Sequence, residues 1–137
     1  MPLYYADSSA LVKLIRQEPE SAALRTFLGE AGVVSCELVL TELPRAVRRL
    51  AVVAPAHLIE ALIEHTDELV SAIGLRALDR PLLLAAGALF EPSLRALDAI
   101  HLAAAIDLFP HDGFVSYDER QSAAARLAGL RTFAPGS

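Results

Sequence analysis

Short apolar runs alternate with helical stripes along the whole chain. Residues 3–6 read as a strand, and behind them Leu11, Leu14 and Ile15 fall on one side of a helix, with Ser8 placed as its N-cap. After Pro19, Ala23, Leu24, Phe27 and Leu28 share a second helical face that Gly29 and Gly32 close. Residues 33–36 read as a buried strand. Residues 37–53 repeat Leu40, Leu43, Val47 and Leu50 at helical spacing, and Pro44 inside that run requires either a late helix start or a kink. Residues 55–65 are a further helix, opened by proline near its first turn. A short strand is expected at 70–75, then helices at 80–90 and 97–109, a strand at 113–117, a helix at 119–128 and a last strand at 130–134. Strands this short and apolar, alternating with helices, predict an α/β fold with a mostly parallel sheet.

The 137 residues suit one domain with a sizeable core. Hydrophobic residues make up 54% and mean hydropathy is +0.42, high enough to leave apolar side chains for a partner surface. The longest apolar run, 82–90, is far short of the roughly 20 residues of a bilayer span, so no membrane is expected. The opening MPLYYADSSA meets Asp7 before any long apolar run and is not expected to be a signal peptide. Cys36 is the only cysteine, which excludes an internal disulfide and fits a reducing cytoplasm. A net charge of −5 argues against a broad basic face for nucleic acid. That charge gains meaning only if acids converge, because clustered carboxylates repel phosphate until a cation neutralises them.

In open parallel sheets, ligands bind beyond the carboxyl ends of strands where strand order reverses. That rule selects Asp7, after the first strand, and Asp118, after GFVSY. Either acid alone also reads as a helix N-cap. Asp98 lies about 40° from Leu94 and 60° from His101 on a helical wheel, near an apolar stripe. It needs a partner or a metal there, unless it caps the first turn of its helix. Glu42 lies opposite Leu40 and by default faces water. Rival chemistries lack their motifs: there is no GxxxxGK[ST], GxGxxG, paired cysteine, HExxH or GxSxG. His101 reads as a packed helix histidine.

Four segments, YYADSSALVKL, ELVLTELPRAVRRL, LRALDAIHLAAA and GFVSYDERQSAAARLAGL, resemble the four signatures of PIN domains, in the family's order. DSSALVKL and LDAIHLAAA are especially similar to the VapC toxins of bacterial toxin–antitoxin pairs. The likeness spans essentially the whole chain, although residues 68–81 carry no recognisable motif. It implies a single PIN domain over 1–137, with about five mostly parallel strands flanked by helices. It also implies a catalytic quartet of Asp7, Glu42, Asp98 and Asp118, with Ser116 as a hydroxyl partner. The expected activity is endoribonuclease cleavage, the expected partners are an RNA substrate, a cognate VapB-like antitoxin and a second copy of the chain, and the expected compartment is the cytoplasm.

Oxygen-only ligation by carboxylates suits Mg²⁺ or Mn²⁺. Asp7 and Asp98 are expected to contact the metal most directly, Asp118 to ligate or support it, and Glu42 to orient the attacking water. Ser8 and Ser116 are expected to position waters or the Asp7 carboxylate. Arg45 and Arg49 lie about 60° and 20° from Glu42 on one helix and are candidates to hold flanking RNA phosphates; a solvated face pairing with surface acids is the alternative. Surplus apolar surface is expected in a dimer and in a groove between the early helices, with Leu11, Leu14, Leu24 and Phe27 as candidates. Two other functions compete: a PIN fold without catalysis that serves as a binding module, and a metal-dependent phosphatase on a similar sheet. Retention of four mutually repelling acids argues against the first. DSSA in place of DxDx[TV] argues against the second.

Overall fold

A computed structural model describes residues 1–137. Its elements in chain order are β1 (Leu3–Ala6), α1 (Ser8–Ile15), α2 (Ser21–Leu28), β2 (Gly32–Cys36), α3 (Val39–Arg49), a 3₁₀ turn (Leu50–Val52), α4 (Ala56–Ala72), β3 (Gly74–Arg76), α5 (Arg80–Gly87), α6 (Ala96–Asp107), β4 (Gly113–Val115), α7 (Glu119–Leu127) and β5 (Thr132–Phe133). All four strand pairings are parallel, and the sheet order is β3-β2-β1-β4-β5. The chain therefore winds outward from β1 to β3, returns, and continues on the other side through β4 and β5. Crossovers between parallel strands are right-handed, so reversing direction moves the helices to the opposite face.

The two cores show this division. Ala10, Leu11, Ile15, Leu24, Leu28, Val39, Leu43 and Val47 bring α1, α2 and α3 onto one face, and Ile59, Leu62, Ile63 and Val70 of α4 pack there too. Leu82, Ala86, Leu102, Ala104, Ala124 and Ala125 bring α5, α6 and α7 onto the other. Strand alternation feeds both layers: Tyr5 and Phe114 point one way, Ala6 and Val115 the other. At Gly113 the Phe133 ring occupies the place where a Cβ would stand, so β4 and β5 can adjoin there only with glycine.

Several boundaries differ from expectation. The strand expected at 70–75 is only Gly74–Arg76, because α4 continues to Ala72. Its stripe of Ile59, Leu62, Ile63, Thr66 and Val70 keeps helical spacing, and burial of that stripe outweighs the β propensity of Val70. Helix α3 starts at Val39 and runs through Pro44, which rules out the late start. Proline deprives the Leu40 carbonyl of its usual donor, but Leu40 is exposed and water can serve instead. Leu11 and Leu24 are wholly internal, and Leu14 and Phe27 are half-buried, so none of the four forms a free apolar face. The exposed large apolar side chains include Leu83, Leu84, Phe90 and Leu127 on or beside α5 and α7, and Val52 and Val53 after α3. No helix is long and apolar enough to cross a membrane.

Candidate active site

Strand order reverses between β1 and β4, and the carboxyl ends of these two strands are bound together by short polar side chains. Asp7 follows β1 and is itself the N-cap of α1, with Oδ1 accepting the Ala10 N–H at 3.2 Å. Ser8 therefore is not the cap: the chain turns into the helix one residue earlier. Ser9 Oγ donates to Asp7 Oδ1 at 2.6 Å, and Ser116 Oγ donates to Oδ2 at 2.5 Å. Ser9 Oγ also accepts the Tyr117 N–H at 2.9 Å, and Ser116 Oγ accepts the Asp118 N–H at 3.1 Å. Ser116 thus occupies its expected place beside Asp7. The second hydroxyl on that carboxylate comes from Ser9, whereas Ser8 turns toward the neighbouring cleft. Burial pushes the Asp7 carboxyl above its usual range, while the two hydroxyls and the nearby His101 charge pull it back.

Asp118 caps α7, its Oδ1 accepting the Arg120 and Gln121 N–H groups at 2.9 and 3.2 Å, and its side chain is exposed. Asp98 lies in the first turn of α6, whose cap position is Arg95. It is half-buried and forms no cap bond, so capping does not explain it. Burial raises its pKa, the charges of Asp118 and Glu42 add to that rise, and His101 and Arg95 oppose it. Asp118 and Glu42 are therefore each close enough to Asp98 to repel its charge.

Glu42 does not simply face water. Its side chain is 19% exposed, and Oε1 lies 2.7 Å from His101 Nε2. A carboxylate only accepts, so Nε2 carries the proton. His101 is buried, with Nδ1 2.8 Å from Tyr5 Oη and 3.7 Å from Cys36 Sγ. Burial alone would lower its pKa, but Cys36 and Glu42 raise it to about 10. The histidine is packed, as expected, and it also anchors Glu42 to the sheet. Sequence spacing carried no trace of this link, since 59 residues separate the two partners. Ser9 was legible in principle: a hydroxyl two residues after an acid at a helix start is a common local acceptor or donor.

Two concavities open on these acids. A cleft of about 620 Å³ between α1 and α3 is lined by Ser8, Ser9, Thr41, Glu42, Arg45 and Arg49 among others. A basin of about 370 Å³ is lined by Arg95, Asp98, Asp118 and Arg120 alone. Leu97 borders the cleft and Asp98 the basin, so the first turn of α6 separates them. No three of the His, Cys, Asp and Glu side chains converge tightly enough to enclose a metal ion. A small hard cation does not need such a cage, because Mg²⁺ keeps several waters and takes only one or two carboxylates. Asp98 and Asp118 meet that requirement, and their mutual repulsion is what a cation would relieve. Asp7 is only 4% exposed and three donors occupy its oxygens, leaving it further from an open position than expected.

Comparisons with known proteins agree with this architecture. The family profile described as "PIN domain" matches residues 4–127. Ribonuclease VapC46 of Mycobacterium tuberculosis is 38% identical, over 98% of this chain and 99% of its own length. Ribonuclease VapC47 of the same species is 35% identical, over 98% of both chains. The crystal structure of PAE2754 from Pyrobaculum aerophilum superposes with a TM-score of 0.65 at 19% identity, covering 96% of this chain and 90% of that one, a likeness of fold. The chain belongs to the PIN-domain family and, within it, to the VapC ribonucleases.

Proposed function

We propose that this protein is a metal-dependent endoribonuclease, the toxin of a VapBC-type toxin–antitoxin pair, which hydrolyses RNA phosphodiesters with water as nucleophile. The observation that carries the proposal is that Asp98 and Asp118 face one basin with the charge of Glu42 close by, while Asp7 stands at the end of β1 where strand order reverses. Relatives named as ribonucleases support the substrate class. Asp98 and Asp118 would hold Mg²⁺ or Mn²⁺, and Ser9 and Ser116 steady the Asp7 carboxylate at the end of β1. When bound, such an ion polarises a phosphate oxygen and makes water a stronger nucleophile. Glu42, held by His101, would orient that water and take its proton. Arg45 and Arg49 line the cleft and form no ion pair with the surface acids, which favours a role toward RNA phosphates over a solvated face.

A VapB-like antitoxin and a second copy of the chain are the proposed protein partners. The exposed Leu84, Phe90 and Leu127 make the α5–α7 side the better candidate for a dimer contact than the early helices. Incubating the pure protein with RNA, DNA and a phosphomonoester, with EDTA or Mn²⁺, tests the activity. RNA alone should be cut, only with metal, leaving 5′-phosphate and 3′-hydroxyl ends. Asp7→Asn and Asp98→Asn should each abolish cleavage while keeping the fold. Cleavage in EDTA, or products ending in a 2′,3′-cyclic phosphate, would refute the mechanism.

A further inference from the structure

The basin holding Asp98 and Asp118 also contains two arginines with no part in holding the metal or activating water. Arg95 and Arg120 line it, both are exposed, and neither belongs to any ion pair of the structure. Other arginines do find acids: the half-buried Arg76 pairs with Asp79 and Asp107, and the exposed Arg126 with Glu119. Arg95 and Arg120 face two carboxylates within one small concavity and still stay more than 4 Å from them. Their guanidinium groups thus keep all their donors free beside a site where phosphate is to be handled. A planar fork with unspent donors suits bidentate binding of a phosphodiester.

Their placement matters as much as their charge. Arg45 and Arg49 line the cleft on the far side of the first turn of α6, and Leu97 and Asp98 mark the divide. Cations therefore flank the acids on two sides, through different helices. We infer that Arg95 and Arg120 form a second phosphodiester subsite, so that an RNA strand crosses the acids from the Arg45–Arg49 cleft to the Arg95–Arg120 basin. The inference rests on the ribonuclease reading. A strand held on both flanks presents the intervening phosphate to the acids, which neither arginine pair achieves alone. It also assigns the pairs to opposite sides of the scissile bond. A merely electrostatic role, in which the arginines soften repulsion between Asp98 and Asp118, makes different predictions.

The test compares wild type, Arg95→Ala/Arg120→Ala and Arg95→Lys/Arg120→Lys, cleaving a single-stranded RNA in Mn²⁺ over a range of NaCl concentrations. Each phosphate contact to a single strand contributes about 0.7 to the slope of log affinity against log salt, so losing two should reduce it by about 1.4. KM should rise roughly tenfold for the alanine pair, far more than kcat falls, and lysine should restore most of the salt slope. Replacing the phosphates on one side of the cleavage site with neutral methylphosphonates should cost wild type affinity on either side. The alanine variant should be insensitive on one side only, and Arg45→Ala/Arg49→Ala should be insensitive on the other. An unchanged slope, a fall in kcat with KM intact, or both variants responding on the same side would overturn the subsite. A change confined to Mn²⁺ affinity would assign the arginines to charge compensation instead. Wild type that cuts no RNA at all would sink the nuclease reading, an outcome separate from these.

Discussion

Replacing Asp98 with Asn separates a site acid from a structural one. Asp98 makes no cap bond, so the amide gives up little, while it removes one charge from a group that includes Asp118 and Glu42. Burial and those neighbours raise the Asp98 pKa above 3.8 in the folded protein. The folded state then holds more proton than the unfolded chain between 3.8 and that higher value. Stability is greatest below this window and is lost as pH rises through it, so wild type carries the full penalty at neutral pH. For a half-exposed pair the penalty is a few tenths to about 1 kcal/mol, or roughly 1–4 °C in Tm for a domain this size. Asp98→Asn should therefore melt higher than wild type in EDTA at pH 7, and the gap should close as pH falls toward 4. Metal reverses the order. At a hundredfold excess over Kd it stabilises wild type by about 2.7 kcal/mol, roughly 10 °C, and the variant by much less. Thermal melting of both proteins at several pH values, in EDTA and in Mn²⁺, makes the measurement. A variant that melts lower in EDTA and gains as much from Mn²⁺ as wild type would show that Asp98 only supports the fold.

Three further outcomes follow from the same geometry. Ser116→Ala removes a buried hydroxyl bonded to a carboxylate and should cost about 1.5–3 kcal/mol by denaturant titration, with the Asp7 carboxyl, followed by NMR, titrating higher still. His101→Gln should destabilise the protein most below pH 6.5; because the His101 pKa rises to about 10 on folding, the stability it contributes is lost between those values, and the difference in Tm should shrink accordingly. If that difference stays constant from pH 6 to 10, the histidine is not held as a cation. Light scattering should find a dimer, converted to monomer by Phe90→Asp with Leu84→Asp; a wild type that is monomeric at all concentrations removes the proposed contact.

The sequence by itself determined the fold class and the order of elements. Residues 3–6 and 113–115 are apolar runs too short for helices, and the stripes of α1, α2 and α3 repeat at helical spacing, so local periodicity sufficed. It also singled out Asp7 and Asp118, because strand ends that meet helix starts are visible along the chain. The α4–β3 boundary was illegible for the opposite reason: Val70 suits either state, and only burial of the continuing stripe against α1 and α3 chose the helix. What the acids do to one another was decided entirely in three dimensions. Glu42 reads as a solvated helical residue until α6 folds over β2 and brings His101 to 2.7 Å from it. Asp98 reads as a possible cap until α7 brings Asp118 beside it. Hydrogen bonds and charge repulsion act over a few ångströms, whereas the partners here stand tens of residues apart in the chain. Only the reversal of strand order brings them to one edge of the sheet.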